Sequence, residues 1–183
     1  MLLDDYIAHW DNALKGELYP KNYAQYLALN RSRFNRIYKR FIASEDFKNS
    51  VKEIRIPAHW IIISEPWCGD AAQSLPVILK LIEHVPNASY TLELRDQGTL
   101  IDNYLTNGGK GIPKVIVRDE HGSDLFVWGP RPEGATELFT QEKAQGRTKE
   151  EISESLQRWY LQDQGASIEI EFTQLLKRLI FQF

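Results

Sequence analysis

One residue could supply covalent chemistry: Cys68, the single cysteine of the chain, in the stretch SEPWCGDAA at 64–72. A thiol becomes a nucleophile when it ionises, and its surroundings decide how readily it does so. Cys68 follows the apolar run HWIIIS (59–64) and opens a helical pattern, so free backbone N–H groups and the positive end of a helix dipole would favour the thiolate. Asp70, two residues on, works against a second negative charge; Lys110 or Lys114 would offset it if the fold brings either close. Trp67 would shield one side of the sulfur and offer a flat contact surface. The plainer alternative is that a lone cysteine is a small buried hydrophobe.

Other residue types give little. The histidines at 9, 59, 84 and 121 lack ligand spacing, and no metal site is expected from them. NGGKG at 107–111 has Gly, not Ser or Thr, after its lysine, so it reads as a tight turn and not as a nucleotide loop. The basic run over 21–43 (Lys21, Arg31, Arg33, Arg36, Lys39, Arg40) contains no acid; it reads as a solvated helix face, with the glutamates of 133–163 as candidate partners. Trp10, Trp60, Trp128 and Trp159 read as core anchors.

With 22 Lys+Arg against 25 Asp+Glu, the net charge of -3 calls for neither nucleic acid nor an anionic membrane. No segment is apolar enough to span a bilayer, and the start MLLDDYIAHWD lacks a basic leader region. A cytoplasmic protein without nucleic-acid or membrane partners is expected, because one cysteine also leaves no internal disulfide.

The elements that must position Cys68 can be read from periodicity. Tyr23, Leu27, Phe34, Tyr38 and Phe41 give a helix over 22–41, with a shorter one over 2–14. A buried strand (59–64) leads through Cys68 to a helix carrying Leu75, Leu79, Ile82 and Val85. A strand at 90–95, a helix at 99–105 and a hairpin of 114–117 with 125–128, turned at Gly122, come next. Helices over 136–164 and 171–181, separated at Gly165, complete the chain. This order predicts an α/β fold: one mixed sheet flanked by helices, in a single domain. It divides into a helical N-terminal extension (1–54), a core (55–132) and C-terminal helices (133–183).

Strand, WCGDA, long helix, strand, helix, GIP and hairpin together resemble the thioredoxin superfamily, whose motif is Trp-Cys-Gly-Pro-Cys. Pro76 falls where that family kinks its active-site helix, Ile112-Pro113 where it carries a cis-proline beside the thiol, and Gly129 where a glycine lines the same groove. The arm YLALNRSRFNRIYKR followed by ISEPWCGDAA is similar to a bacterial group of such proteins with Trp-Cys-Gly-Asp motifs.

The resemblance implies Cys68 as nucleophile, Trp67, Gly69 and Asp70 shaping the thiolate site, and Ile112, Pro113 and Gly129 along a substrate groove. It also marks two departures. Ala71 occupies the resolving-cysteine position, and Ile62 occupies that of the buried acid that assists proton transfer. A two-thiol cycle within one molecule is therefore impossible. What the resemblance leaves is single-thiol exchange on a protein or small-molecule disulfide. Glutathione or a similar thiol would be co-substrate, and no bound cofactor or shared iron–sulfur cluster is expected. The competing expectations are a redox-inactive binding module gripping ligands at Trp67 and Pro113, and a single-cysteine redox sensor.

Overall fold

A computed structural model describes residues 1–16 and 18–180. Four strands form one sheet in the order β2-β1-β3-β4: β1 (Ala58–Ser64), β2 (Ala88–Leu94), β3 (Lys114–Arg118) and β4 (Asp124–Trp128). β1 pairs parallel with β2 and antiparallel with β3, and β3 pairs antiparallel with β4, so the sheet is mixed. Gly122, at φ +82°, makes the β3–β4 turn.

Alternation along β1 sorts its residues to two faces. Trp60 and Ile62 enter the main core with Leu75 and Ile78 of α5 (Gly69–Ile82) and Phe172 of α8 (Ala166–Ile180). Ile61 and Ile63 enter a smaller cluster with Ile116, Ile101, Ile112 and Cys68. Trp60 stacks on Phe172 at 5.5 Å between ring centroids, and Trp128 lies 5.2 Å from the same ring. The Trp128 indole N–H donates to the Glu171 carboxylate (2.6 Å), whose other oxygen accepts from the Glu133 amide (2.7 Å). One carboxylate thus ties β4 and the following helix to α8.

The N-terminal arm comprises α1 (Leu3–Ala13), the single turn α2 (Lys21–Ala24) and α3 (Leu27–Arg40), which packs along α5. The helix expected over 22–41 is interrupted at Gln25 and Tyr26, where α2 ends and α3 begins. An unpredicted helix, α4 (Glu45–Val51), starts at Ser44, whose Oγ accepts from the Phe47 amide (3.0 Å). Its seven residues are too few for a period to show, but Ser followed by two acids is a start signal.

Over 99–105 the chain makes only a 3₁₀ turn, Leu100–Asn103. Over 136–164 two helices replace the one expected, α6 (Glu133–Ala144) and α7 (Lys149–Asp163). Gly146, at φ +74°, ends the first, and Thr148 with Glu151 starts the second as a reciprocal capping box. The acidic helices and the basic α3 do not pair as anticipated. Among the described ion pairs, Arg31 of α3 meets Asp11 of α1 (3.0 Å), and no α3 cation reaches a glutamate of α6 or α7. Among the described residues no helix is long and apolar enough to cross a membrane, and no cluster of His, Cys, Asp or Glu could hold a metal ion.

Candidate functional site around Cys68

Cys68 is the N-cap of α5: its chain is extended (φ -77°, ψ 120°), and its sulfur accepts from the Ala71 amide at 3.4 Å. The thiol donates to the Ile112 carbonyl at 3.3 Å. That carbonyl belongs to the loop entering β3, where the Ile112–Pro113 peptide is cis. The sulfur therefore sits between two backbones that the sheet holds in register, since Ile63 at the end of β1 pairs with Lys114 at the start of β3.

The thiol lies on the floor of an open groove of about 740 Å³. Trp67, Gly69, Asp70 and Ile112 line it together with Cys68. Pro113 is buried beneath, and Gly129 supports it from behind: a Cβ on Gly129 would fall 2.3 Å from the Pro113 carbonyl oxygen. The next residue, Pro130, reaches the groove instead. Both terminal extensions wall it, the N-terminal arm with Tyr23, Tyr26, Leu29 and Arg33, and α7 with Lys149 and Ser153. Cys68 retains only 8% exposure.

Electrostatics at the sulfur run against ionisation. Burial pushes the Cys68 thiol up to about 12, and the Asp70 carboxylate adds to the rise. The Ala71 and Asp70 amides and the Arg131 guanidinium pull the other way without prevailing. The compensating cation is thus Arg131, not Lys110 or Lys114. Lys110 pairs with Asp102 (2.6 Å), and Lys114 donates to Thr106 (2.6 Å) and to the Gly129 carbonyl (3.0 Å). Asp70 in turn is held by Arg131 (2.7 Å) and by the Tyr160 hydroxyl, which donates to it at 3.0 Å. Replacing Asp70 by Asn should lower the thiol pKa, and so speed Cys68 alkylation at pH 8 several-fold. Tyr160→Phe, which keeps the carboxylate charge, should change the rate far less. Equal rates in Asp70→Asn and wild type would show that the carboxylate does not govern the sulfur.

Trp67 is held by two ring contacts. Tyr23 stacks on it at 4.2 Å with an interplanar angle of 11°, and the Arg95 guanidinium lies 4.5 Å from its ring. Buried Asn30 locks the same loop to α3 by donating to the Pro66 carbonyl at 3.2 Å.

Behind the loop lies a buried acid. Glu65 (1% exposed) accepts from the Tyr19 hydroxyl (2.7 Å) and from the Asp96 amide (2.9 Å). Tyr19 also shares a 2.9 Å hydrogen bond with His9, so Glu65 ties the arm to the end of β1. Burial raises the Glu65 pKa although those two hydrogen bonds lower it. The folded chain therefore binds more protons than the unfolded one above the ordinary value of 4.5, and Glu65 costs stability as pH rises through its folded pKa. Urea midpoints of wild type should fall relative to those of Glu65→Gln as pH rises above the ordinary value of 4.5. Parallel pH profiles for the two proteins would contradict this.

The residues that sequence reasoning missed here are Tyr23, Glu65, Arg95, Arg131 and Tyr160. Tyr23, Arg95, Arg131 and Tyr160 reach the Trp67–Cys68 loop from other elements and stand in no motif that marks them. Glu65 lies in the SEPWCGDAA stretch itself, and only its burial reveals its part.

A mixed sheet with flanking helices and a cysteine capping the helix after its first strand, beside the loop that enters β3, define a thioredoxin-fold protein with one thiol. The sequence matches the thioredoxin family over residues 16–144, well over half of the chain, and the protein belongs to that family. No curated protein matches it. Two solved structures are similar in fold. A protein of unknown function from Pseudomonas aeruginosa has 16% identity and a TM-score of 0.53, over 79% of this chain and 92% of that one. An HIV epitope scaffold has 15% identity and a TM-score of 0.57, over 84% of this chain and 90% of that one. At such identities the likeness concerns the fold.

Proposed function

We propose that the protein is a thioredoxin-fold binding protein whose groove takes an extended polypeptide segment along Ile112, with Cys68 as a neutral part of the floor. The observation that carries this reading is the Ile112 backbone. Its amide has no acceptor among the described hydrogen bonds, and its carbonyl accepts only the Cys68 thiol, so both groups can pair with a chain laid beside them. The Trp67 ring, held by Tyr23, and the exposed Tyr26 and Leu29 supply apolar contact next to that edge.

The test is selection of peptides from a displayed library, followed by calorimetry. Binding should survive Cys68→Ser within about twofold and weaken at least tenfold in Trp67→Ala, a loss of about 1.4 kcal/mol. Retention by Trp67→Ala, or loss on Cys68→Ser, would reject the reading.

A second reading, single-thiol exchange, has one observation in its favour: the sulfur lies 3.3 Å from the same Ile112 carbonyl, so a disulfide held there would meet it. Cys68 would first lose its proton to solvent. Its sulfur would then attack one sulfur of the disulfide, forming a mixed disulfide and expelling the other as a thiolate. An external thiolate such as glutathione's would then attack the substrate sulfur of that mixed disulfide and return Cys68. Loss of binding in Cys68→Ser together with capture of disulfide-bearing ligands alone would select this reading.

A further inference from the structure

A second concavity lies away from the Cys68 groove and shares no lining residue with it. It is a cavity of about 170 Å³ where α3, α5 and α7 meet the start of α8. Ile37, Phe41, Val77 and Ile168 give it apolar walls, and Leu161, 58% exposed, stands beside it. The bend between α7 and α8 shapes it. Gln164 adopts a left-handed conformation (φ 54°), and Gly165 lies so near the walls that a Cβ there would meet Val77 at 2.8 Å and Phe41 at 3.1 Å.

The charge around this cavity is one-sided. Arg36 and Arg40, one turn apart on α3, line it, and no carboxylate does. Neither arginine forms an ion pair among the described residues. The nearest acids in sequence on the packed helices are already engaged. Asp163 accepts from the Gly165 and Ser167 amides, and Glu169 accepts from the Ser44 amide. Crowding of cations is felt nearby: burial lowers the Arg33 pKa, and Arg36 lowers it further. In a chain of net charge -3, two guanidinium groups without ion pairs among the described residues stand beside a cavity walled largely by apolar side chains, with Gln73, Tyr160 and Gln164 also lining it. Together they form a complement to one ligand shape. That shape is a compact apolar body with an anionic head.

We propose that this cavity binds a small carboxylate with a ring-sized apolar body, its carboxylate meeting Arg36 and Arg40. The volume sets the size, since an apolar cavity of roughly 150 Å³ accepts benzene. The guanidinium forks set the head group, since they match a carboxylate's two oxygens. This site does not depend on the groove reading.

Phenylacetate and its neutral isostere phenylacetamide are suitable probes, followed by the backbone amide NMR shifts of Gln73 and Gly165 during titration. Phenylacetate should saturate and bind about tenfold more tightly than phenylacetamide, the margin expected of charge-assisted hydrogen bonds. The double variant Arg36→Gln, Arg40→Gln should remove that margin; both side chains are exposed, so the fold should hold. Filling the cavity through half-buried Ile37→Phe should weaken both probes, with thermal unfolding confirming that the variant is folded. Equal affinities for the two probes in wild type, an unchanged margin in the double variant, or no saturable shift up to about 20 mM would overturn the proposal.

Discussion

Cys68 in the native protein should react with iodoacetamide at pH 7 about a thousandfold more slowly than the same cysteine in the urea-unfolded chain. An ordinary cysteine, with a pKa near ~8.5, is a few per cent thiolate at pH 7. A thiol pushed up to about 12 is ionised at roughly one part in a hundred thousand. The ratio is on the order of 10³ before any steric obstruction is counted. The physical origin is a contest between dipoles and burial. The amides of Asp70 and Ala71 at the start of α5 favour the thiolate, and in an open site they would lower its pKa. Here burial outweighs them, and Asp70, pinned by Arg131 and Tyr160, places a negative charge beside the sulfur. The pH profile of the native rate should keep rising through pH 10 without a plateau. A native rate equal to the unfolded one would show that burial does not suppress the thiolate. A plateau below pH 8 would show an activated thiolate and move the function to single-thiol exchange.

That contest also marks how far the sequence could be read. The strands and the helix around Cys68 were legible because periodicity is local: HWIIIS forms β1, the stripe of Leu75, Leu79 and Ile82 lies on α5, and Gly122 turns the hairpin. The helices expected at 22–41 and 136–164 were read too long. Interruptions at Gln25–Tyr26 and Gly146 depend on capping and packing, to which hydrophobic spacing is blind. Trp67, Cys68, Gly69, Asp70 and Ile112 do converge on one groove. The cation beside the thiol could not be chosen from sequence. Lys110 and Lys114 flank Ile112, yet each is occupied elsewhere, and Arg131 arrives through the turn after β4. Nor does spacing reveal coverage. The arm and α7 come from opposite ends of the chain, and only the tertiary fold brings Tyr23 and Ser153 to the same groove.

Gly129→Ala should destabilise the protein by roughly 3–5 kcal/mol, far more than a methyl group on a loop would suggest. Gly129 has φ +105°, outside the range of an L side chain, and the added Cβ would stand 2.3 Å from the Pro113 carbonyl oxygen and 3.5 Å from the Lys114 Cα. Both neighbours are backbone, so neither can rotate aside. Lys114 is further held by its own ammonium, which donates to the Gly129 carbonyl at 3.0 Å. The clash would therefore move the segment that carries Ile112, and the floor of the groove with it. Gly122→Ala provides the control, because Gly122 also has a positive φ, +82°, but nothing lies within 4 Å of its Cβ position. It should cost only the conformational part, about 1 kcal/mol. Urea unfolding of the two variants separates steric approach from backbone preference. The large cost of Gly129→Ala should come with altered amide NMR shifts at Ile112 and Cys68, whereas Gly122→Ala should leave those signals in place. Similar costs for the two variants would mean that Gly129 serves only its own φ and does not hold the Pro113 segment against the thiol.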